Sequence, residues 1–500
     1  MLRQGSPAQL EDQREGRHEG SAGGGAADQI ARSIVLVILF SVPALLCVRA
    51  AVMSDPDVWW HLRTGQWILE QHAFPQTDPF SIDAMGKPWQ AYSWLFDLVI
   101  LRLFREWDLV GIVVYTSGMV AAITALFYRL VSRLQPDFTK AVLLTAAGVV
   151  CLSGILTPRP WMFSIVFFVL ELDVLMQARR TGKWRELMWL PALFALWANI
   201  HIQFVDGLVV LGVAAIEPVA QRWWPWRESR LRGNAAWATL GGCVAGTLLN
   251  PYGWRIYQVA FGLATEGGVA NTITELKALE FRDAADFLLA FMALAAAAAL
   301  TWRRRPGFFE AALLAIGTYL SLHSMRDRWF LAAAACAVLA GALPARQEAP
   351  KRNLPALALP AILAAAWGVM AAGFAAFGVT DATCKWSLAK ELPVNAVEAL
   401  RQQGLGGRLF NDYDWGGYLI WSLRQPVSID GRAALYGAER IARNVDTWNG
   451  KPDWASDPDL AAAGLVVGPT ILPLTQILRE DPAFRIAYED KTATVFVRRR

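Results

Sequence analysis

The chain has 500 residues, of which 55% are hydrophobic and 18% charged. That balance excludes an ordinary soluble globule of this length, whose charge would be higher and whose apolar residues would recur periodically, not in blocks. A net charge of +4, from 47 basic and 43 acidic residues, is too small to argue for a nucleic-acid partner.

Residues 1–29 are polar and rich in Gly, Ala, Glu and Arg, and read as a disordered cytosolic tail. The apolar run 30–53 is too long for the core of a cleaved signal peptide and lacks a small-residue cleavage site. It reads as a retained signal anchor. The next stretch, 54–94, sets five acids (Asp55, Asp57, Glu70, Asp78, Asp83) among aromatic residues. Within it Asp57, Trp59, Trp60, His61 and Arg63 put an anion, two indoles, an imidazole and a guanidinium in one short run at a membrane surface. Such groups suit an anionic headgroup, or a metal bridging to one, beside a carboxylate that does chemistry. Taken alone, Asp57 is equally readable as a helix cap paired with Arg63.

Residues 92–107 carry Asp97, Arg102, Arg105 and Glu106 on helically spaced apolar residues, the pattern of an amphipathic helix lying on the surface. Further spans fall near 109–131, 140–156, 160–178, 187–200, 203–221, 235–250, 286–302, 307–322, 329–343 and 354–378. With the first run this makes about eleven helices of roughly 15–25 residues. Tryptophans such as Trp161, Trp254, Trp302 and Trp329 mark the ends of these runs, as interfacial belts do. With residues 92–107 lying flat, every Lys/Arg-rich loop falls on the cytosolic side. The Asp57 loop, Arg159 between two prolines, the Asn199–His201 turn, residues 250–283, residues 323–328 and everything after 380 then share the outer face. Four of the five cysteines (Cys47, Cys151, Cys243, Cys336) lie in apolar runs and Cys384 outside them, so neither a disulfide framework nor a cysteine metal site is expected.

Residues 380–500 read as a separate water-soluble α/β domain of alternating short elements. Strands are expected at 408–411, 427–429 and 465–467 and as a hairpin over 484–497. Helices are expected at 393–403, 416–423, 438–448 and 472–479. Asp412, Tyr413, Asp414 and Trp415 follow one strand and Asp430, Gly431 and Arg432 another, where open α/β sheets place their sites. A turn with a helix cap would use the same residue types.

These residues resemble a known family. The acidic D-x-aromatic-aromatic-H-L-R setting after the first span, with FPQTDPFS behind it, is similar to the first outer loop of the oligosaccharyltransferase catalytic subunit. Thr272, Ile273, Thr274 and Glu275 resemble that family's TIxE motif. The run from Asp412 to Tyr418 is similar to its WWDYG motif, and the region from Arg326 to Phe330 to that of its phosphate-binding arginine. Two departures stand out. The loop comparable to the family's second acidic motif is Thr157, Pro158, Arg159, Pro160, without an acid. Asp412 and Tyr413 stand where the tryptophan pair would be, which weakens the case for a protein sequon as acceptor. More broadly the chain looks like the GT-C class of polytopic glycosyltransferases.

The resemblance implies an α-helical polytopic membrane protein with a C-terminal extracytoplasmic α/β domain, in a bacterial inner or plasma membrane with its N-terminus cytosolic. It implies transfer of a sugar or glycan from a polyprenyl-phosphate-linked donor to an unidentified glycan, lipid or protein acceptor. Asp57, His61 and Glu275 are the catalytic candidates. Arg63, Arg159, Arg326 and Arg328 are candidates for the donor phosphate, and Asp412, Asp414, Trp415 and Arg432 for the acceptor. Asp57, Asp78 and Glu275 are candidate ligands for Mg2+ or Mn2+. A lipid-linked glycan transporter or flippase, or a non-catalytic membrane scaffold, are the rival readings. A transporter would call for internal repeats and mid-membrane ionisable residues; no repeat is visible, and Asp206 and Glu217 are the main acids of that kind.

Overall fold

The computed structural model describes residues 7–49, 55–223, 226, 228–265, 276–302, 306–344 and 358–499. Helices α1 (Pro7–Arg49), α2 (Val58–Gln71), α3 (Trp94–Leu134), α4 (Phe138–Val150) and α5 (Trp161–Thr181) open the chain. They are followed by α6 (Leu190–Ile200), α7 (Phe204–Ala220), α8 (Gly233–Thr247), α9 (Arg255–Thr265) and α10 (Ala284–Thr301). Then come α11 (Phe308–His323), α12 (Arg328–Ala342) and α13 (Ala358–Ala376). A helix stands at each position where hydropathy predicts a span. Among the described residues five helices are long and apolar enough to cross a membrane: residues 26–48 of α1, then α3, α5, α10 and most of α13. The chain is thus a mostly helical polytopic membrane protein; the larger count of about eleven rests on sequence alone.

Two local features differ from expectation. The structure runs α1 back to Pro7, through the tail expected to be irregular, whose Ala, Glu, Gln and Arg carry helix propensity. Helix α3 joins the amphipathic segment to the following span, but the backbone leaves helical geometry at Trp107 and at Asp108, whose φ is 48°. The two parts therefore point differently; that the first lies flat on a membrane surface rests on the sequence alone.

Helix α12 sits at the centre. Every residue from Trp329 to Ala340 is buried, and its alanines let α3, α4, α10 and α11 approach it closely. The loops gather at two opposite ends of the bundle. At one end Lys140 donates to the Pro344 carbonyl at 2.5 Å, and Arg129 and Arg133 reach Asp173 of α5. At the other, Ala91 N–H donates to the Tyr252 hydroxyl at 3.0 Å, Gln203 to Asp327 at 2.6 Å, and Leu109 N–H to Asp381 at 3.2 Å. The described parts of the segments expected to share the outer face meet at one end.

The C-terminal unit is a four-stranded sheet of order β1-β2-β4-β3: β1 (Leu409–Asn411), β2 (Leu465–Pro469), β3 (Phe484–Glu489) and β4 (Ala493–Arg498). Strand β1 is parallel to β2 and the other pairs are antiparallel. Phe410, Trp448, Val466, Leu474, Leu478, Phe484 and Phe496 form its core beneath helices Ala433–Trp448 and Pro473–Glu480. The segment 427–429 is not a strand of this sheet. The Asn411 side chain takes the Ser428 N–H at 3.0 Å, and Val427 bridges instead to the loop after α2, donating to Phe80 O at 3.1 Å and accepting from Ile82 N–H at 2.8 Å. That bridge docks the C-terminal unit on the loop behind Asp57. Aromatic edges add to it, Trp59 on Tyr418 at 5.0 Å and Phe104 on Trp421 at 5.4 Å.

Candidate active site

Asp57 stands at the N-terminal boundary of α2 but makes no side-chain cap. Its carboxylate pairs with Arg159, whose Nε also donates to Asp55 at 2.8 Å; all three residues are buried. The prolines on either side of Arg159 fix its backbone, and its guanidinium lies 5.0 Å from the centre of the Trp161 ring. Arg63, the expected ion-pair partner of Asp57, reaches Glu70 at 3.0 Å instead. Over Asp57 lies the C-terminal unit. A Cβ on Gly431 would fall 1.8 Å from the Asp57 carboxylate, and one on Gly417 2.6 Å from the Pro56 carbonyl. Only glycine permits these approaches.

One turn along α2 from Asp57, His61 Nδ1 meets Asp97 Oδ1 of α3 at 2.5 Å, with side chains 2% and 0% exposed. Trp60 stacks on the imidazole at 3.6 Å and Phe96 meets it edge-on at 4.8 Å. Burial pushes the His61 pKa well below the usual histidine range, and the nearby charges of Arg159 and His201 push it the same way. Asp97 was not among the sequence candidates. Its signal was available, since it shares the buried stripe of its helix with Phe96, Ile100 and Leu101.

Tyr92 marks the middle of the site. Burial lifts its hydroxyl to about 12, and Arg326, Asp57, Asp97 and Arg159 all act on it electrostatically. Its ring lies 6.4 Å from that of His201, whose Nδ1 is 2.9 Å from Ser164 Oγ. Asn199 is packed and bonded, accepting from Trp94 Nε1 at 2.9 Å and donating to two carbonyls. Arg326 is less engaged than Arg159 and Arg328. Its guanidinium is 3.9 Å from Asp327, which is already held by Gln203, and its buried Nε has no hydrogen-bond partner among the described residues. Arg328, two residues on, is buried, pairs with Asp286 and donates to Ser153 O at 2.8 Å, and its buried Nε likewise has no partner among the described residues.

The other predicted residues separate from this centre. Arg432 donates to Asp78 at 2.6 Å and to Asp430 at 2.7 and 2.8 Å, with Ser81 at 3.2 Å. It lies over Trp89 and Phe80, and Tyr436 donates to Asp430 at 2.5 Å. The expected acceptor residue Arg432 and the expected metal ligand Asp78 thus hold each other. Trp415 is a core residue donating to Glu391 O at 3.1 Å. Asp414 is exposed, and Asp412 accepts its N–H at 3.0 Å. Burial, then the Asp414 charge, raises Asp412 to about 7. Tyr413 reaches towards the centre, for its hydroxyl feels Asp57 and Arg159. Glu275 and the rest of the 272–275 motif lie outside the described residues. Among the described residues no group of three or more His, Cys, Asp or Glu is arranged to hold a metal ion.

No family model and no curated protein matches the chain. Among solved structures it is similar to ArnT from Cupriavidus metallidurans bound to undecaprenyl phosphate, at 13% identity over 95% of this chain and 98% of that one. The TM-score is 0.26, which carries no argument about fold detail or chemistry, and the oligosaccharyltransferase resemblance gains no support.

Proposed function

We propose that this protein is an integral membrane glycosyltransferase that moves a sugar or glycan from a polyprenyl-phosphate-linked donor to an acceptor at the outer face. The observation that carries the reading is Arg326, a guanidinium with a buried, unpartnered Nε set beside Tyr92, His201 and the Asp57–Arg159 pair. A buried donor left without a partner costs free energy, and an incoming phosphate oxygen would recover it through a charge-assisted hydrogen bond. Phosphate is the leaving group in such a transfer, and its developing charge needs a fixed cation where the membrane boundary keeps water from screening it.

Asp57, held by Arg159 and roofed by Gly431, orients the acceptor, and the C-terminal unit closes the acceptor side through Gly431 and Tyr413. A Mg2+ or Mn2+ ion at Asp57 would have to displace the Arg159 guanidinium. The test is full-length protein in nanodiscs, wild type beside Asp57→Asn, incubated with polyprenyl-phosphate and diphosphate sugars with and without Mn2+. Release of the lipid phosphate by wild type and not by the variant is expected. Equal release by both would sink the assignment.

One observation favours the rival transporter. Glu171, in the middle of α5, is fully buried with neither carboxylate oxygen bonded among the described residues, and lies against Gly207 of α7. Mid-membrane acids of this kind mark ion pathways. Lipid movement across vesicles that is lost in Glu171→Gln, without phosphate release, would favour that reading.

A further inference from the structure

We infer that His61 is the group that takes the acceptor's proton and that Asp97 is its positioning residue. This rests on the glycosyltransferase reading and adds to it the acid–base step that Asp57 alone leaves undivided. The geometry is that of an oriented base. Two residues 36 positions apart are brought to 2.5 Å by the packing of α2 on α3. The imidazole is clamped between the Trp60 face and the Phe96 edge, so its plane is set.

Nδ1 is engaged by Asp97, and this is the hydrogen bond the ring makes among the described residues, which leaves Nε2 as the open nitrogen. His61 follows Asp57 by one helical turn, its N–H bonded to the Asp57 carbonyl at 3.2 Å, so both side chains serve one face of α2. The charged and titratable groups that act on the ring are Asp97 from α3, Arg159 from the loop before α5 and His201 from the turn between α6 and α7. Arg159 and burial keep the ring neutral at rest, the form a base must have. Asp97 has a second oxygen, buried and unpartnered among the described residues. A carboxyl held on Nδ1 can stabilise an imidazolium for the duration of a reaction.

The step balances. The acceptor's O–H or N–H proton passes to His61 Nε2 while the acceptor atom bonds to the anomeric carbon. The bond from that carbon to the phosphate oxygen breaks, and its electron pair stays on the oxygen facing Arg326. The proton on His61 later leaves to water.

The experiment uses the full-length protein in nanodiscs with a polyprenyl-phosphate hexose for turnover and polyprenyl phosphate for binding. His61→Gln should lower kcat by about 10²–10⁴-fold and leave polyprenyl-phosphate affinity within about twofold of wild type. Asp97→Asn should lower kcat and move the acidic limb of the kcat–pH profile, because an amide replaces the carboxyl that holds Nδ1 and answers the imidazolium. Full turnover in His61→Gln overturns the assignment. Should that variant fail to fold, Asp97→Asn decides, and lowered kcat with an unmoved limb means a merely structural tie. Absence of both phosphate release and polyprenyl-phosphate binding in wild type would instead strike down the glycosyltransferase reading itself.

Discussion

Two buried arginine clusters flank the loop over residues 72–93, and they differ in how far their hydrogen bonds are used up. Around Arg432 the donors go to Asp78, Asp430 and Ser81, and Tyr436 closes the circle on Asp430. Nothing in that cluster waits for a ligand. It joins the C-terminal unit to residues 78–89 as a clamp, with the guanidinium stacked on two rings. Around Arg159 and Arg326 the accounting is incomplete: Asp57 and Asp55 hold Arg159, but among the described residues Arg326 keeps a buried N–H without an acceptor and one buried oxygen of Asp97 has no donor. Buried polar groups are normally satisfied, so a saturated cluster signals architecture and an unsaturated one a place kept for something else.

The sharpest way to break this contrast is Asp57→Asn. Phosphate release should fall by about 10⁴-fold, roughly 5 kcal/mol of transition-state stabilisation, with thermal unfolding unchanged. Arg432→Met should do the reverse. Leaving two buried carboxylates without their cation should cost about 3–5 kcal/mol of stability, seen as a lowered Tm and early proteolysis between the C-terminal unit and the membrane helices. If Arg432→Met kept full stability and lost only activity, the clamp would belong to the site after all. Arg326→Gln should weaken polyprenyl-phosphate binding by about 10–150-fold, the equivalent of one hydrogen bond to a charged group at about 1.5–3 kcal/mol, and leave the Tm where it was.

The smallest effect concerns Asp412. Its carboxyl is raised to about 7 in the folded chain, so the stability tied to its neutral form is complete below the ordinary aspartate range and is lost as pH rises through about 7. Asp412→Asn should therefore raise the Tm at pH 8 more than at pH 4, and an equal change at both would show that the shift has no bearing on stability.

Much of the fold was readable because its signals are local. Blocks of apolar residues placed helices α3 to α8 and α10 to α13, and Asp108 broke α3 where the amphipathic pattern gives way to an unbroken apolar one. The short alternating elements placed all four strands of the C-terminal sheet. Segment 427–429 has the composition of a strand, yet the competing bond to Asn411 and the free edge of the loop after α2 drew it away. At the site, sequence reasoning named Asp57, His61, Arg159 and Arg326 but sorted them by residue type. It grouped four arginines as phosphate ligands, when Arg63 goes to Glu70, Arg159 to Asp55 and Asp57, and Arg328 to Asp286.

What the sequence determined by itself was the membrane class, the helix positions and the end of the bundle at which the unusual polar residues meet. Hydropathy and helical periodicity act over one or two turns and need no partner from far away. Which charge answers which was decided by tertiary structure alone. Asp57 and Arg159 lie 102 positions apart, and Asp78 and Arg432 lie 354 apart. A guanidinium has several donors and pairs with any carboxylate that packing brings within reach, so only the packed chain reveals which carboxylate each arginine meets and which donors are left over.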